Sequence, residues 1–271
     1  MASRINPEDH MEIVVCIKQV PETTKVKINP ETNTLMREGV ESIINPFDMY
    51  AIEEGIRLRE EHGGTVKVLT MGPPQAETAL REAVALGVDE IYLVSDRAFA
   101  GSDTWATAYT LAAAIRKMGT VDLIICGKQA IDGDTAQVGP SLADQLGIPF
   151  VAFIRKIRTL DAGEMIVERM FEEGYEVVNL PLPGLMTVVK EINEPRMPSL
   201  KGKMKAKKAE VNVFSREDLE VQDPHLGLDG SPTRVVKIFS PDLSRSGVKW
   251  QDEPAEMADK LVKGLKEQKI I

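Results

Sequence analysis

Cysteine, histidine and aromatic residues are scarce in this chain, and long apolar runs are missing. With two cysteines, Cys16 and Cys126, the 271-residue sequence has neither a disulfide framework nor a cysteine metal site. No catalytic triad, nucleophile elbow or Walker lysine accompanies the three histidines. No apolar run approaches the ~18 residues of a membrane span, and no secretory signal is recognisable. We therefore expect a cytoplasmic protein without catalytic or metal-binding side chains.

Positive charge is also in deficit. Lys and Arg total 33 against 42 for Asp and Glu, which gives a net charge of −9. Non-specific nucleic-acid binding depends on a basic surface that neutralises phosphates, so nucleic acid is excluded as a partner. A hydrophobic content of 43% is nevertheless enough to fill a substantial core.

The first half of the chain alternates short apolar runs with helical patterns. The runs typical of buried strands are Ile13–Ile17, Val66–Thr70, Ile91–Val94 and Leu123–Cys126. This alternation predicts an α/β fold, with a parallel sheet covered by helices on both faces. Ligands of such sheets bind at the carboxyl ends of the strands, so the loops that follow these runs are the candidate site.

The pattern changes after Leu146. Extended segments are predicted at Phe150–Thr159, Glu164–Met170, Tyr175–Leu180 and Leu185–Lys190, and their alternation favours a small antiparallel extension. An amphipathic helix is predicted near Pro254–Gln268. We expect residues 1–10 to be an N-terminal extension or a cloning remnant, residues 11–200 an α/β nucleotide-binding domain, and residues 201–271 a C-terminal arm.

The stretch "GKQAIDGDTAQVGPSLADQLG" has the layout of a phosphate-binding turn, because a strand, small residues and a helical pattern follow one another. Asp134 stands three residues before Gln137, as in a capping box, which predicts a helix from about Thr135. Gly133 lets a ligand approach closely, and Asp132 can accept from ribose hydroxyls. The amides left free for a phosphate would be those of Thr135, Ala136, Gln137 and Val138. A capped helix start without any ligand accounts for the same residues equally well.

Three other loops offer weaker signals. Lys18 lies at the carboxyl end of the first strand. The polar segment that contains it is also typical of a surface hairpin. Met71 and Gly72 let a ligand approach the backbone closely, although a glycine and a proline are common between a strand and a helix. Thr104 and Thr107 lie one turn apart and can donate to a heterocycle, whereas Ser102 or Asp103 before them is typical of an N-cap.

Three longer stretches carry a specific resemblance. "INPFDMYAIEEGIRLRE", "DLIICGKQAIDGDTAQVGPSLADQLG" and "INEPRMPSLKGKMKAKKAE" are similar, in order and spacing, to the β subunit of an electron-transferring flavoprotein. The resemblance covers essentially residues 11–271. It implies the adenine-nucleotide α-hydrolase-like fold, a heterodimer with a flavin-carrying α subunit, and a C-terminal arm that packs on that partner.

The resemblance also implies a nucleotide pocket. Positions that match the family's shared pocket are Cys16, Asn45, Met71, Gly133, Ala136, Gln137 and Val138. Ordinary members hold a structural AMP there and tend to have asparagine and threonine where this chain has Ala136 and Val138. "GDTAQVGP" and "GSDTWAT" instead resemble the electron-bifurcating group, in which the pocket holds FAD. Thr104 and Thr107 then become candidates for contacts with the flavin ring.

Function follows from the same resemblance. In the bifurcating group this FAD accepts hydride from NADH and divides the electrons between ferredoxin and, through the α-subunit FAD, an acyl-CoA dehydrogenase-like partner. A recognition loop near residues 191–200 matches "NEPRMPSL", and it assigns Leu200 as the anchor for that dehydrogenase. The alternatives are an ordinary electron carrier that binds AMP, and a stand-alone adenine-nucleotide-binding regulatory protein. The latter gives no role to the long segment after Leu200.

Overall fold

The computed structural model describes residues 10–22, 27–28, 35–36, 42–161, 163–236 and 247–271. Its strands are β1 (Met11–Cys16), β2 (Gln19–Pro21), β3 (Lys27–Ile28), β4 (Leu35–Met36), β5 (Ser42–Ile44), β6 (Gly64–Met71), β7 (Glu90–Val94), β8 (Leu123–Gly127), β9 (Phe150–Asp161), β10 (Glu164–Phe171), β11 (Gly174–Pro181), β12 (Gly184–Val188) and β13 (Asn212–Phe214). Its α-helices are α1 (Pro46–His62), α2 (Glu77–Leu86), α3 (Thr104–Met118), α4 (Val138–Leu146), α5 (Leu200–Lys208) and α6 (Pro254–Glu267). In the part of the chain described here, no helix is long and apolar enough to cross a membrane.

A nine-stranded sheet with the order β11-β10-β9-β12-β8-β1-β6-β7-β13 organises the fold. From β9 to β13 along this order every neighbouring pair is parallel, which confirms the parallel strands predicted from the apolar runs. Small antiparallel pairs, β2 with β5 and β3 with β4, lie in the segment between β1 and α1. The described strands thus form the predicted α/β architecture.

Alternate side chains of the central strands point into cores on opposite faces of the sheet. On β1, Ile13 and Val15 pack into a core that includes residues of α1 and α2. Val14 and Cys16 pack into a second core with residues of α3 and α4. Because both faces are covered, the strands are apolar throughout and read as continuous hydrophobic runs. Helices on both faces, as predicted, are therefore confirmed.

The antiparallel prediction is right for one end of the sheet and wrong for β12. Strands β9, β10 and β11 pair antiparallel and extend the sheet beyond its parallel part. Gly184–Val188, however, inserts between β8 and β9 and runs parallel to both. Each of its residues is buried, so it lies in the middle of the sheet and not on a half-exposed edge. Burial on both faces, rather than alternation, is what places it there.

The chain divides into two compact units, Met1–Val236 and Lys237–Ile271. The predicted boundary at residue 200 falls inside the first unit, because α5 packs on α2 and β13 joins the sheet beside β7. The guanidinium of Arg81 in α2 donates to the carbonyls of Ala206 (2.7 Å) and Ala209 (3.2 Å). Within the second unit, α6 spans almost the residues predicted for it. The predicted N-terminal extension lies outside the described residues, apart from His10.

Candidate crevice at the carboxyl ends of the strands

The loops that follow the parallel strands meet at one edge of the sheet. Main-chain bonds tie the strand ends together there: Ile17 N donates to Leu69 O (2.9 Å), Gly72 N to Val94 O (3.0 Å), and Lys128 N to Val188 O (2.9 Å). The predicted site residues that these elements bring to this edge are Cys16, Lys18, Asn45, Met71, Gly72, Thr104, Thr107, Asp132, Gly133, Asp134, Thr135, Ala136, Gln137 and Val138. Leu200 lies elsewhere, at the start of α5.

The loop between β8 and α4 corrects one prediction. Helix α4 begins at Val138, with Gln137 in the N-cap position, and not near Thr135. Asp134 has a positive φ of 54°, its amide donates to Ala130 O, and its carboxylate accepts from the Gln129 side chain. It therefore closes a tight turn within the loop instead of capping the helix.

Three consecutive amides of this loop are free. Among the described residues, the backbone N–H groups of Thr135, Ala136 and Gln137 donate to no acceptor. Ala136 also has a φ of 54°, and it is followed by Gln137 in the right-handed region. Successive residues of opposite hand turn their N–H groups toward one concave side, which is a common way of binding an anion. A Cβ built on Gly133 meets no atom within 4 Å, so this exposed position of the same loop is open.

Asn45 and Asp48 lie beneath this loop, and both are buried. Asn45 Nδ2 donates to Asp48 Oδ1 (3.0 Å) and to Gln129 O (2.8 Å), while its Oδ1 accepts from Ile131 N (3.1 Å). Burial raises the pKa of the Asp48 carboxyl to about 7, although hydrogen bonds from Asn45 and from the Lys18 amide oppose the shift. The sequence-based prediction included Asn45 and missed Asp48. The signal that could have identified Asp48 is its position as an acidic residue in the first turn of a helix that otherwise begins with apolar residues.

Lys18 and Asp132 form an ion pair that joins the loop after β1 to the loop after β8. The Lys18 ammonium lies 2.6 Å from Asp132 Oδ1, with half of the lysine side chain exposed. Lysine is the only cationic side chain that the predicted site residues supply, and here its charge is balanced by a carboxylate. An anion bound at this edge would therefore depend mainly on main-chain amides.

Cys16 and Cys126 are register partners on the adjacent strands β1 and β8. Both are free and buried, as predicted. A hydrogen bond with Cys16, together with burial, raises the pKa of the Cys126 thiol well above its usual range. The Cys126 thiol is therefore held in its neutral form.

Helix α3 begins beside the same loop. The carboxylate of Asp103 accepts from the amides of Trp105 and Ala106, both at 3.0 Å, which confirms the predicted N-cap. Thr104 Oγ1 lies 3.2 Å from Gln137 Oε1 and donates to it. Thr107 follows one turn later with its side chain half-buried. That the two threonines contact a flavin ring stays a prediction.

The segment around Arg196 is fastened to α1, while Leu200 projects from it. Arg196 Nε donates to Glu53 Oε2 (2.8 Å), and its Nη1 donates to Glu60 Oε1 (2.7 Å). Asn193 Nδ2 donates to Glu54 Oε2 (2.8 Å). Leu200 is 79% exposed, and Met197 and Met204 in the same stretch are also exposed. An assignment as a partner anchor stays a prediction.

Comparison with known proteins gives the family. The Electron transfer flavoprotein domain matches residues 32–219. The electron transfer flavoprotein subunit beta of Thermoanaerobacterium thermosaccharolyticum is 52% identical over 96% of this chain and 100% of its own length. CarD, a subunit of the caffeyl-CoA reductase-Etf complex of Acetobacterium woodii, is 49% identical over 96% and 100%. FixA of Azorhizobium caulinodans is 49% identical over 85% of each chain.

These matches span the sheet, the crevice and the segment around Arg196. They agree with the resemblance drawn from the three sequence stretches and with the observed α/β fold. The chain therefore belongs to the electron transfer flavoprotein family, as a β subunit.

Proposed function

We propose that this β subunit, paired with an α subunit, holds FAD in the crevice and takes part in electron bifurcation from NADH. The observation that carries the proposal is the loop after β8, with free amides at Thr135, Ala136 and Gln137 and an open position at Gly133. A dinucleotide's diphosphate needs several donors in a row, and main-chain amides supply them without bulk.

The residues present fit such a group. Around the amides the side chains are small, and Lys18 stands at the rim with Asp132, where a carboxylate can accept from ribose hydroxyls. Ala136 and Val138 carry no polar group that would close the space beside a first phosphate. We expect the diphosphate to be held by the loop, with Thr104 and Thr107 near the ring system. Cys16, Met71 and Gly72 would form the floor.

When bound, FAD would accept a hydride from NADH and pass single electrons to ferredoxin and to the α-subunit FAD. The chain's own contribution is to bind, orient and shield. Buried thiols and apolar strand ends exclude water, and main-chain N–H groups provide positive electrostatic potential. Hydride transfer between two cofactors requires no proton donor from the protein, which agrees with the absence of a histidine among the candidate residues.

The comparisons support parts of this proposal. The relative CarD is named as a subunit of a reductase-Etf complex, which fits a β subunit that works with an acyl-CoA dehydrogenase-like partner. The exposed Leu200 would anchor that partner. The residues after Val236, including the amphipathic α6, would form the arm that packs on the α subunit.

An ordinary carrier with AMP in the crevice is the second candidate, because free amides also suit a single phosphate. Extraction and chromatography of nucleotides from the purified heterodimer distinguish the two. Two FAD per heterodimer is the expected result, whereas one FAD with one AMP would overturn bifurcation. A chain that binds adenine nucleotide alone, without an α subunit, would instead support the regulatory-protein reading.

A double variant sharpens the experiment. Ala136→Asn with Val138→Thr restores the polar side chains typical of AMP-holding members, and asparagine tolerates the positive φ at position 136. We expect its FAD content to fall and its AMP content to rise. Val177→Thr, an equally conservative change at an exposed strand position, is the matched control and should keep the FAD content of the unchanged protein.

A further inference from the structure

Asp48 occupies an unusual place for a carboxylate, since it is buried at the start of α1 with 5% of its surface exposed. Its Oδ2 accepts from Lys18 N (2.7 Å) and its Oδ1 from Asn45 Nδ2 (3.0 Å). The end of β8 packs closely against the Asp48 side chain, because a Cβ added to Gly127 would lie 2.3 Å from Asp48 Oδ1. The carboxylate therefore joins the ends of β1 and β8 to the first turn of α1.

Asn45 connects Asp48 to the loop after β8 through hydrogen bonds. One hydrogen of its amide goes to Asp48, the other to Gln129 O (2.8 Å), and its oxygen accepts from Ile131 N (3.1 Å). With both hydrogens used, the side chain cannot rotate without losing every one of these bonds. Gln129 and Ile131 are the residues that lead directly into Asp132 and the free amides.

We propose that Asp48 is a positioning residue for the nucleotide site. Through Asn45 it holds the loop of residues 129–138 in the shape that directs its free amides at a phosphate. The inference rests on the proposed function in one respect, namely that this loop is the segment that holds the nucleotide. It assigns a role to a residue that touches the loop only through another side chain.

Protonation of Asp48 should release this hold. The charged and titratable groups that face it are the Lys18 ammonium, already paired with Asp132, and the Cys126 thiol, hydrogen-bonded to Cys16. A protonated carboxyl turns one acceptor into a donor, which conflicts with the N–H groups that point at it. Because the pKa of Asp48 is raised to about 7, the ionised form that accepts from Asn45 is lost as the pH falls through neutrality.

The test compares the unchanged heterodimer with Asp48→Asn, Asn45→Ala and Glu53→Gln. Glu53 is the matched control, an equally buried carboxylate on the same helix that faces Arg196 instead of the loop. Two quantities are measured: the rate at which FAD is released at pH values from about 6 to about 8, and hydrogen exchange of the Ile131 amide. The proposed heterodimer holds two FAD molecules, so release can have two phases. The phase that is missing in Gly133→Glu is the one that reports on the nucleotide of this site.

We expect Asp48→Asn and Asn45→Ala to speed both FAD release and Ile131 exchange by about tenfold or more, the consequence of losing a buried hydrogen bond. In the unchanged protein, release should accelerate as the pH falls through 7, and Asp48→Asn should remove that dependence. Glu53→Gln should leave the pH profile and the Ile131 exchange unchanged.

Two failures are distinguishable. If Ile131 exchange and the pH profile of FAD release are the same in Asp48→Asn as in the unchanged protein, the positioning role is overturned, whatever the melting temperature does. If the crevice contains no nucleotide, the proposed function fails. Hydrogen exchange of the Ile131 amide then still decides whether Asp48 orders the loop. Faster exchange in both Asp48→Asn and Asn45→Ala than in the unchanged protein would support that ordering.

Discussion

The ammonium of Lys18 and the carboxylate of Asp132 face each other across the crevice, with Nζ 2.6 Å from Oδ1 and 2.8 Å from Oδ2. The residues are separated by 114 positions in the chain, and the pair joins the loop after β1 to the loop after β8. Because Asp132 balances the lysine charge, the two side chains should have opposite effects on an anionic ligand.

We expect Asp132→Asn to tighten FAD binding several-fold, because it frees the lysine charge while the amide oxygen can still accept from ribose hydroxyls. Lys18→Gln should weaken binding to a similar degree. Both effects should shrink at high ionic strength, because the pair is solvent-accessible and screened. Titration of flavin fluorescence at low and high salt measures this. The stability of the protein should change by less than ~1 kcal/mol in either variant. Equal weakening in both would mean that the pair shapes the loop and does not tune its charge.

Gly133→Glu should abolish nucleotide retention without disturbing the sheet. The structure leaves space for a side chain at this position, so the free energy of unfolding should change by no more than ~0.5 kcal/mol. The carboxylate would occupy the space beside the free amides and repel a phosphate. Gly133→Gln is the control for bulk without charge, and it should retain more nucleotide. Nucleotide content and urea denaturation are the measurements, and full FAD occupancy in Gly133→Glu would show that the ligand binds elsewhere.

A bulky side chain at Ala136 should act through the backbone. With a φ of 54°, this position is strained for a branched residue, and Ala136→Val should cost about 1–2 kcal/mol locally. We expect the variant to lose nucleotide while its circular dichroism stays that of a folded α/β protein. Ala136→Gly removes the strain and should keep the nucleotide. Retention by the valine variant equal to that of the glycine variant would contradict a role for this backbone shape.

Leu200→Ala should separate partner docking from chemistry at the flavin. The side chain is 79% exposed and lies away from the crevice, so the change should leave stability and NADH-driven flavin reduction unaltered. Electron transfer to the dehydrogenase partner should slow, because an exposed apolar anchor is a typical binding hot spot. Val177→Ala, another exposed apolar position, is the control. Unchanged coupled turnover in Leu200→Ala would remove the anchor assignment.

Arg196→Met should destabilise the protein in a pH-dependent way. Burial acts to raise the pKa of Glu53, but hydrogen bonds from Arg196 and Arg57 outweigh it and hold that pKa below its usual value. A lowered carboxyl pKa contributes stability above the ordinary glutamate range, and this contribution disappears as the pH falls through the folded-state value. We therefore expect a loss of about 3 kcal/mol near neutral pH and a smaller loss in acid.

Urea denaturation at several pH values measures the effect of Arg196→Met. Arg196→Lys is the control that keeps the charge while losing the two-pronged contact with Glu53 and Glu60, and it should recover only part of the stability. A loss independent of pH would mean that the Arg196 side chain acts by packing alone.

The sequence by itself determined the class of fold and the edge of the sheet on which to look. Apolar runs separated by helical patterns are a local property, and parallel strands buried on both faces leave that signature directly in the chain. The rule that ligands bind at carboxyl ends then placed Lys18 and the 132–138 loop together, while Asn45 came from the family resemblance. Three long motifs were enough to indicate the family.

Only the tertiary structure decided matters that depend on distant contacts. Helix α4 begins at Val138 because Asp134 is engaged with Gln129 in a tight turn, which no capping pattern reveals. Strand β12 runs parallel because it fills the middle of the sheet. Asp48 lies beneath the crevice because strand ends and a helix start converge on it. Such outcomes follow from which segments pack together, and side-chain spacing along the chain does not encode them.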